Sequence, residues 1–311
     1  MQQEMLYIYK VYEEQSFSKA AEKLYMTQPA LSIAIQKIET KIGMPLFDRN
    51  CRPLKLTEAG EIYIDTIKKI MDLETDRDRH LSDIHNLRTG TIRLGGTHYL
   101  NAYVLPNVLA EFSHTYPGIH IELIEASSDV LADMLTERKL DLTFSCNPAF
   151  VRNFECYAVF EDHILLAVPA SHPLNDKMKD CCLKPEDIII GEHLKPECPT
   201  VNLRSFQELD YVLLSEGNNL HDRAHRMFEE ADLEPVIKLT LSQLVTAYHL
   251  AAANIAATFT SDRMVRDPSI PLCFYKIDSE QTTRVFYALL SNRTYTPQAV
   301  KVFIQHLLMA V

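Results

Sequence analysis

The sequence predicts a three-part chain: an N-terminal winged helix-turn-helix, a long helix, and a larger α/β region. Three observations carry this. Residues 16–60 pair two short amphipathic helices across a tight turn and follow them with a basic hairpin. Residues 57–88 then run without proline and, after Gly60, almost without helix breakers. From Thr91 onward, short apolar runs alternate with helical patterns in two blocks, the texture of a parallel sheet with crossover helices.

The first helix covers about Ser18 to Leu24, and Ala20, Ala21 and Leu24 share one face. The small alanines let a second helix cross closely. Tyr25 and Met26 form the turn. Thr27 is a good N-cap, and Pro29 sits in the first turn, where its missing N–H costs nothing. Leu31, Ile35, Ile38 and Ile42 recur at helical spacing and point inward. Gln28, Ala30, Ser32, Ile33 and Gln36 are left outward, and Gly43 suits a left-handed cap. In a helix-turn-helix the first turns of the second helix enter the major groove. There Gln28 and Gln36 can bond base edges, and Ala30 or Ile33 can touch a thymine methyl. Arg49, Arg52 and Lys55 would meet phosphates or the minor groove. On spacing alone, an ordinary helical hairpin with a solvated polar face fits equally well.

The segment resembles the N-terminal domain of LysR-type transcriptional regulators. The matching residues are Ser16-Phe17-Ser18, Ala20-Ala21, Leu24, Thr27-Gln28-Pro29-Ala30-Leu31-Ser32, Ile38-Glu39, Gly43, Leu46-Phe47, Arg49 and Leu56-Thr57-Glu58-Ala59-Gly60. The resemblance implies a DNA-binding domain over 1–60, with contacts from Thr27, Gln28, Pro29, Ala30, Ser32, Ile33, Gln36, Arg49, Arg52 and Lys55. The family often carries Arg where this chain has Ile33, so an altered base preference is expected.

The long helix follows over residues 57–88. Tyr63, Ile67, Ile70, Leu81 and Ile84 follow alternating steps of four and three, interrupted by Glu74 and Arg77. About 30 residues of helix would reach about 45 Å, too long a stripe for one small domain to bury. Pairing with a second copy is expected, as in the family's linker helix, which implies a dimer or a dimer of dimers.

The net charge of −11 looks wrong for a DNA binder. Residues 1–60 hold eight Lys/Arg and seven Asp/Glu and so carry about +1, which leaves −12 to the rest. An acidic bulk repels DNA non-specifically, so binding must rest on local cations and on several copies acting together. The first fifteen residues lack the pattern of a signal peptide, and no apolar stretch approaches the ~20 residues that span a membrane. Seven cysteines without a disulfide-framework pattern point to a reducing cytoplasm.

In the α/β region, Leu105-Pro106, Phe112, Tyr116-Pro117, Leu140-Asp141-Leu142 and His172-Pro173-Leu174 match the family's regulatory domain. The resemblance implies a domain of periplasmic-binding-protein type over 91–311, two Rossmann-like lobes joined by two crossing strands. The run 163–169 reads as the opening of a further unit. The crossings are placed near Glu161-Asp162 and Asp267-Pro268, giving lobe I as 91–162 plus 269–311 and lobe II as 163–268. Ligands in such sheets sit beyond the carboxyl ends of strands, near helix N-termini. Those places hold Thr97, His98, Tyr99, Asn101, Ser127, Ser128, Ser145, Asn147, Ser215 and Asn218. Singly, each is most simply a helix cap. As a set they suit one small organic anion, because the family's inducer site falls at these places. Tyr99 and Phe259 are read as its apolar wall. Asn254 stands where the family usually has glycine, and asparagine is the best substitute in a left-handed turn.

Rival classes are weaker. The chain has eight glycines and no Gly-rich phosphate loop, and Ser16-Phe17-Ser18-Lys19 lacks the partner motifs of a Ser-x-x-Lys enzyme. No cofactor and no metal ligand set are expected. The alternative is a redox- or metal-responsive regulator using Cys181, Cys182 and Cys198 with His193, but the spacing lacks a C-x-x-C pair. The resemblance adds RNA polymerase as a further partner alongside operator DNA.

Overall fold

Ala20 and Ala21 set the geometry of the first unit. Both are buried, and their small side chains let α2 (Phe17–Lys23) cross α1 (Gln3–Glu14) and α3 (Gln28–Ile42) closely. This computed structural model describes residues 3–85, 90–291 and 295–310; the chain divides into units 1–86 and 87–311. Ser16 caps α2 by accepting from the Lys19 N–H. The helix stops in a Schellman turn, in which the Met26 N–H donates to the Ala21 carbonyl and the Tyr25 N–H to the Glu22 carbonyl. Tyr25, not glycine, takes the left-handed position at φ 55°. Thr27 caps α3 by accepting from the Ala30 N–H, and Gly43 closes it at φ 82°. Leu31, Ile35 and Ile38 pack against Ile8, Val11, Leu46 and Phe47. Truncating one such residue to alanine costs about 2–5 kcal/mol.

The hairpin of β1 (Phe47–Asp48) and β2 (Lys55–Leu56) is the wing. Buried Glu39 ties it to α3. Its Oε1 accepts from the Leu46 and Phe47 N–H groups, and its Oε2 meets Arg49 Nη2 at 3.0 Å. The 28-residue α4 (Glu58–His85) follows. Its first turns belong to the core: Ile64 and Ile67 are buried inside the same chain. This corrects the seam drawn from sequence, because Ile67 is not available to a partner. Leu73 and Leu81 are 68% and 54% exposed and are available. The expected end of the linker at 86–88 and its stop at Thr89 lie outside the described residues.

In the second unit, β3 (Gly90–Gly96) pairs in parallel with β4 (Ile119–Glu125). A parallel bridge from Leu94 to Leu142 brings β5 (Thr143–Ser145) alongside. The helices α5 (His98–Tyr103), α6 (Leu105–Thr115), α7 (Ser128–Thr136) and α8 (Pro148–Val151) connect this part. The strand β6 (Glu155–Pro169) follows, then α9 (Leu174–Lys177), α10 (Pro185–Ile189), β7 (Thr200–Val201), β8 (Asp210–Leu214), α11 (Asn219–Glu230), β9 (Val236–Leu241), α12 (Leu244–Ala252), β10 (Thr258–Ser261) and β11 (Leu272–Ile277). Finally come β12 (Thr283–Leu290) and α13 (Gln298–Ala310). β8 and β9 are parallel, and a parallel bridge joins Tyr211 to Ala257.

The 15-residue β6 belongs to both lobes. Residues 155–163 pair with β12; residues 164–169 pair with β10 and β11, all antiparallel. Each sheet is therefore mixed, not wholly parallel as the texture suggested. Residues 163–169 do not open a new unit. They are the second half of this strand, apolar because both its faces are covered. The return crossing also moves. β11 pairs with residues 166–169 and with β7, so it stays in lobe II. It buries Leu272, Phe274, Tyr275 and Ile277 there. The chain comes back between Ile277 and Thr283. Asp267-Pro268 is only a turn, in which Asp267 Oδ1 accepts from the Ser269 N–H and hydroxyl. Asn254 does hold the left-handed position, at φ 65°.

Candidate DNA interface and effector cleft

Thr27, Gln28, Pro29, Ala30, Ile33 and Gln36 are exposed along the start of α3, and Ser32 is half-buried between them. Their exposure follows from the opposite face being spent on the core. Arg52 and Lys55 are exposed on the wing. Arg49 is partly committed: it pairs with Glu39, and its guanidinium lies 5.2 Å from the centroid of the Phe17 ring. It anchors the wing while 44% of its side chain faces solvent. Tyr25 was not among the contacts expected from sequence. It is 98% exposed at the mouth of the turn that presents α3. The available signal was a large aromatic in the place where a helix stop favours glycine.

The second candidate site comprises the strand and helix ends named from sequence in the two lobes. Thr97 and Ser127 hold the N-cap positions of α5 and α7, yet neither side chain makes a capping bond. Their hydroxyls are not used by the helices. Ser128 is half-buried beside Ser127. Asn147 and Asn218 do cap, accepting from the Ala149 and Leu220 N–H groups, and Ser145 accepts from the Asn147 N–H. For these three the bland reading holds. Ser215 is held by its backbone N–H, which donates to the Leu241 carbonyl. His98 Nδ1 faces Glu125 at 3.2 Å. Asn101 donates to the Gly96 carbonyl and leaves Oδ1 buried without a partner. A Cβ at Gly96 would lie 1.9 Å from that oxygen, so any other residue there would force the Asn101 side chain to move. Across the lobes, the Cys146 thiol reaches Asn219 Oδ1 at 3.2 Å.

Two expected wall residues are corrected. Phe259 is buried in lobe II between Tyr211 and Phe228. Tyr99 is buried too, and its hydroxyl donates to Asp162 Oδ1 at 2.5 Å, with Ser261 Oγ at 2.8 Å. Tyr99 belongs to a buried polar knot at the first crossing. Asp162 also accepts from Ser261 Oγ and from Arg284 Nε at 2.7 Å. Burial and the Asp162 charge push the Tyr99 hydroxyl well above its ordinary pKa.

Two arginines lie near the crossings, Arg284 on β12 and Arg223 bonded to the 281–283 backbone. Arg284 on β12 is matched by Asp162. Arg223 on α11 donates to Asn219 Oδ1 and to the carbonyls of Gln281 and Thr283, all uncharged. Burial first, then repulsion from Arg284, lowers its pKa. A cation held at this disadvantage gains from any anion placed beside it. Sequence reasoning passed over both because they lie within regular elements, not in the loops searched.

The cysteine alternative loses its geometry. His193 faces Asp262 and His163, not a thiol. The Cys182 thiol is brought down to about 7, first by its hydrogen bond with Cys273 and not with Cys198.

Family models match both units of the chain. The bacterial regulatory helix-turn-helix model of the LysR family matches residues 3–61, and the LysR substrate binding domain model matches 85–188 and 191–311. The chain belongs to the LysR family. A probable RuBisCO transcriptional regulator of Thalassiosira pseudonana is 31% identical over 256 residues, covering 81% of each chain. The uncharacterized HTH-type regulator YcgK of Bacillus subtilis is 26% identical, covering 93% of this chain and 88% of its own. Among solved structures, full-length CbnR bound to its target DNA has a TM-score of 0.61 at 18% identity, covering both chains fully. Full-length BenM has a TM-score of 0.51 at 25% identity, covering 98% of this chain and 96% of that one. This LysR-family protein is a DNA-binding transcriptional regulator with an effector-binding domain. Among its described residues no helix is long and apolar enough to cross a membrane.

Proposed function

We propose that this LysR-family regulator works in the cytoplasm, as a dimer or a dimer of dimers on operator DNA, and answers to one small organic carboxylate bound between its lobes. It carries out no reaction on that effector. The observation that carries the reading is Arg223, a half-buried guanidinium whose acceptors are uncharged and which shares Asn219 Oδ1 with the Cys146 thiol reaching across from the other lobe. A carboxylate takes two parallel N–H bonds from such a guanidinium and further bonds from hydroxyls. Binding would draw the lobes together about the crossings, change the set of the DNA-binding domains and so alter contact with RNA polymerase.

The test is a thermal-shift screen of organic acids on the full chain. The best ligand should be a monocarboxylate or dicarboxylate that raises the melting temperature by mass action. Arg223→Gln should remove most of that shift. A nucleotide as best ligand, or a wild-type response from Arg223→Gln, overturns the assignment.

A further inference from the structure

We propose that His163, His193 and Asp262 bind one divalent transition cation of the zinc class, at a site in lobe II beside the first crossing. Asp262 Oδ2 lies 3.0 Å from His193 Nε2 and 3.3 Å from His163 Nδ1. The ligand atoms all fall within 4.8 Å of one another. A tetrahedral zinc with ordinary bond lengths keeps its ligand atoms roughly 3.3 Å apart. Two separations are already close to that spacing, and the third, within 4.8 Å, would have to shorten on binding. Two imidazoles and a carboxylate suit zinc, cobalt or nickel. Calcium and magnesium want oxygen throughout, and copper(I) wants sulfur.

The surroundings hold the carboxylate in position for a cation. Asp262 Oδ1 accepts from the His163 and Arg263 N–H groups. These bonds orient the carboxylate and turn Oδ2 toward the imidazoles, the role that outer partners play around metal ligands. His193 is 4% exposed, so its imidazole is held in place with Nε2 against Asp262.

Placement gives the site its consequence. Ser261 faces Ile164 across β10 and β6, so Asp262 follows directly beside His163. His163 is also the partner of Thr283, where the chain re-enters lobe I. A cation here staples β6 to the end of β10 where both lobes hinge. The three ligands lie far apart in sequence, so no short spacing announces them.

The experiment uses the full chain, stripped with EDTA and titrated with zinc and, separately, with cobalt(II). One equivalent of zinc should bind and raise the melting temperature. The cobalt form should show d–d bands without a thiolate charge-transfer band. His163→Ala, at the most accessible ligand, and Asp262→Asn should each weaken zinc binding by about tenfold or more. Cys182→Ser and Cys198→Ser should leave it unchanged. Absence of a bound equivalent, unchanged affinity in His163→Ala, or a thiolate band that vanishes in the cysteine variants overturns the proposal. If Asp262→Asn unfolds the domain, His163→Ala alone decides.

Discussion

Tyr25 has a backbone and a side chain with opposed interests. Its left-handed φ of 55° costs an L-residue roughly 1–2 kcal/mol, while its ring stands almost fully in solvent beside the reading helix. Tyr25→Gly should therefore stabilise the protein by about 0.5–1 kcal/mol, the strain relieved less the added freedom of glycine in the unfolded chain. The same variant should bind operator DNA less well. Urea unfolding and a binding titration separate the two effects, and a destabilised variant would refute the strain. Gln28 sits on the exposed start of α3. Gln28→Ala should cost about 1–3 kcal/mol and relax one base preference, whereas Arg52→Ala should weaken all sequences alike. Equal specificity profiles for wild type and Gln28→Ala would show that another residue reads the bases.

At the level of elements, the wing and the linker helix each hang on a few side chains. Glu39 holds the wing to α3 through two backbone N–H groups and Arg49. The linker helix does two jobs along its length. Its first turns complete the DNA-binding core with Ile64 and Ile67, and its later turns expose Leu73 and Leu81. Leu73→Glu together with Leu81→Glu should therefore yield a folded monomer in sedimentation. Ile67→Glu should instead unfold the first unit, because it buries an unpaired charge. A dimer that survives the Leu73/Leu81 double variant would place the interface elsewhere. The periodicity of α4 was legible in sequence. How much of it the chain itself consumes was not, because that depends on where α1 lies against it.

For the molecule as a whole, the polar knot at the crossing is the costly feature. Asp162 and Arg284 are both buried, and Tyr99 and Ser261 complete the set. Asp162→Asn strands a buried guanidinium and should destabilise the second unit by about 3–5 kcal/mol. Asp162→Leu combined with Arg284→Met should cost clearly less than the two single variants summed. Strict additivity in calorimetry would mean that the pair is not coupled. Thr97→Val and Ser128→Ala should each reduce the effector-induced melting shift while leaving the ligand-free melting point nearly unchanged. If neither variant changes the shift, the hydroxyls serve something other than the effector.

Local chemistry determined what could be read without a structure. Caps such as Thr27, the left-handed positions Gly43 and Asn254, and the inward stripe Leu31, Ile35 and Ile38 depend on neighbours within a turn or two, so sequence spacing suffices for them. The order of strands and helices follows from the same short-range patterns. Tertiary structure decided everything that depends on long-range pairing. It made β6 a single strand shared by two lobes, kept β11 in lobe II, and buried Tyr99 and Phe259 away from the cleft. It also set Arg223 against the 281–283 backbone and gathered His163, His193 and Asp262. An apolar or charged residue shows its type in the sequence, but its environment is set by which distant strand lies beside it, and periodicity carries no information about that choice.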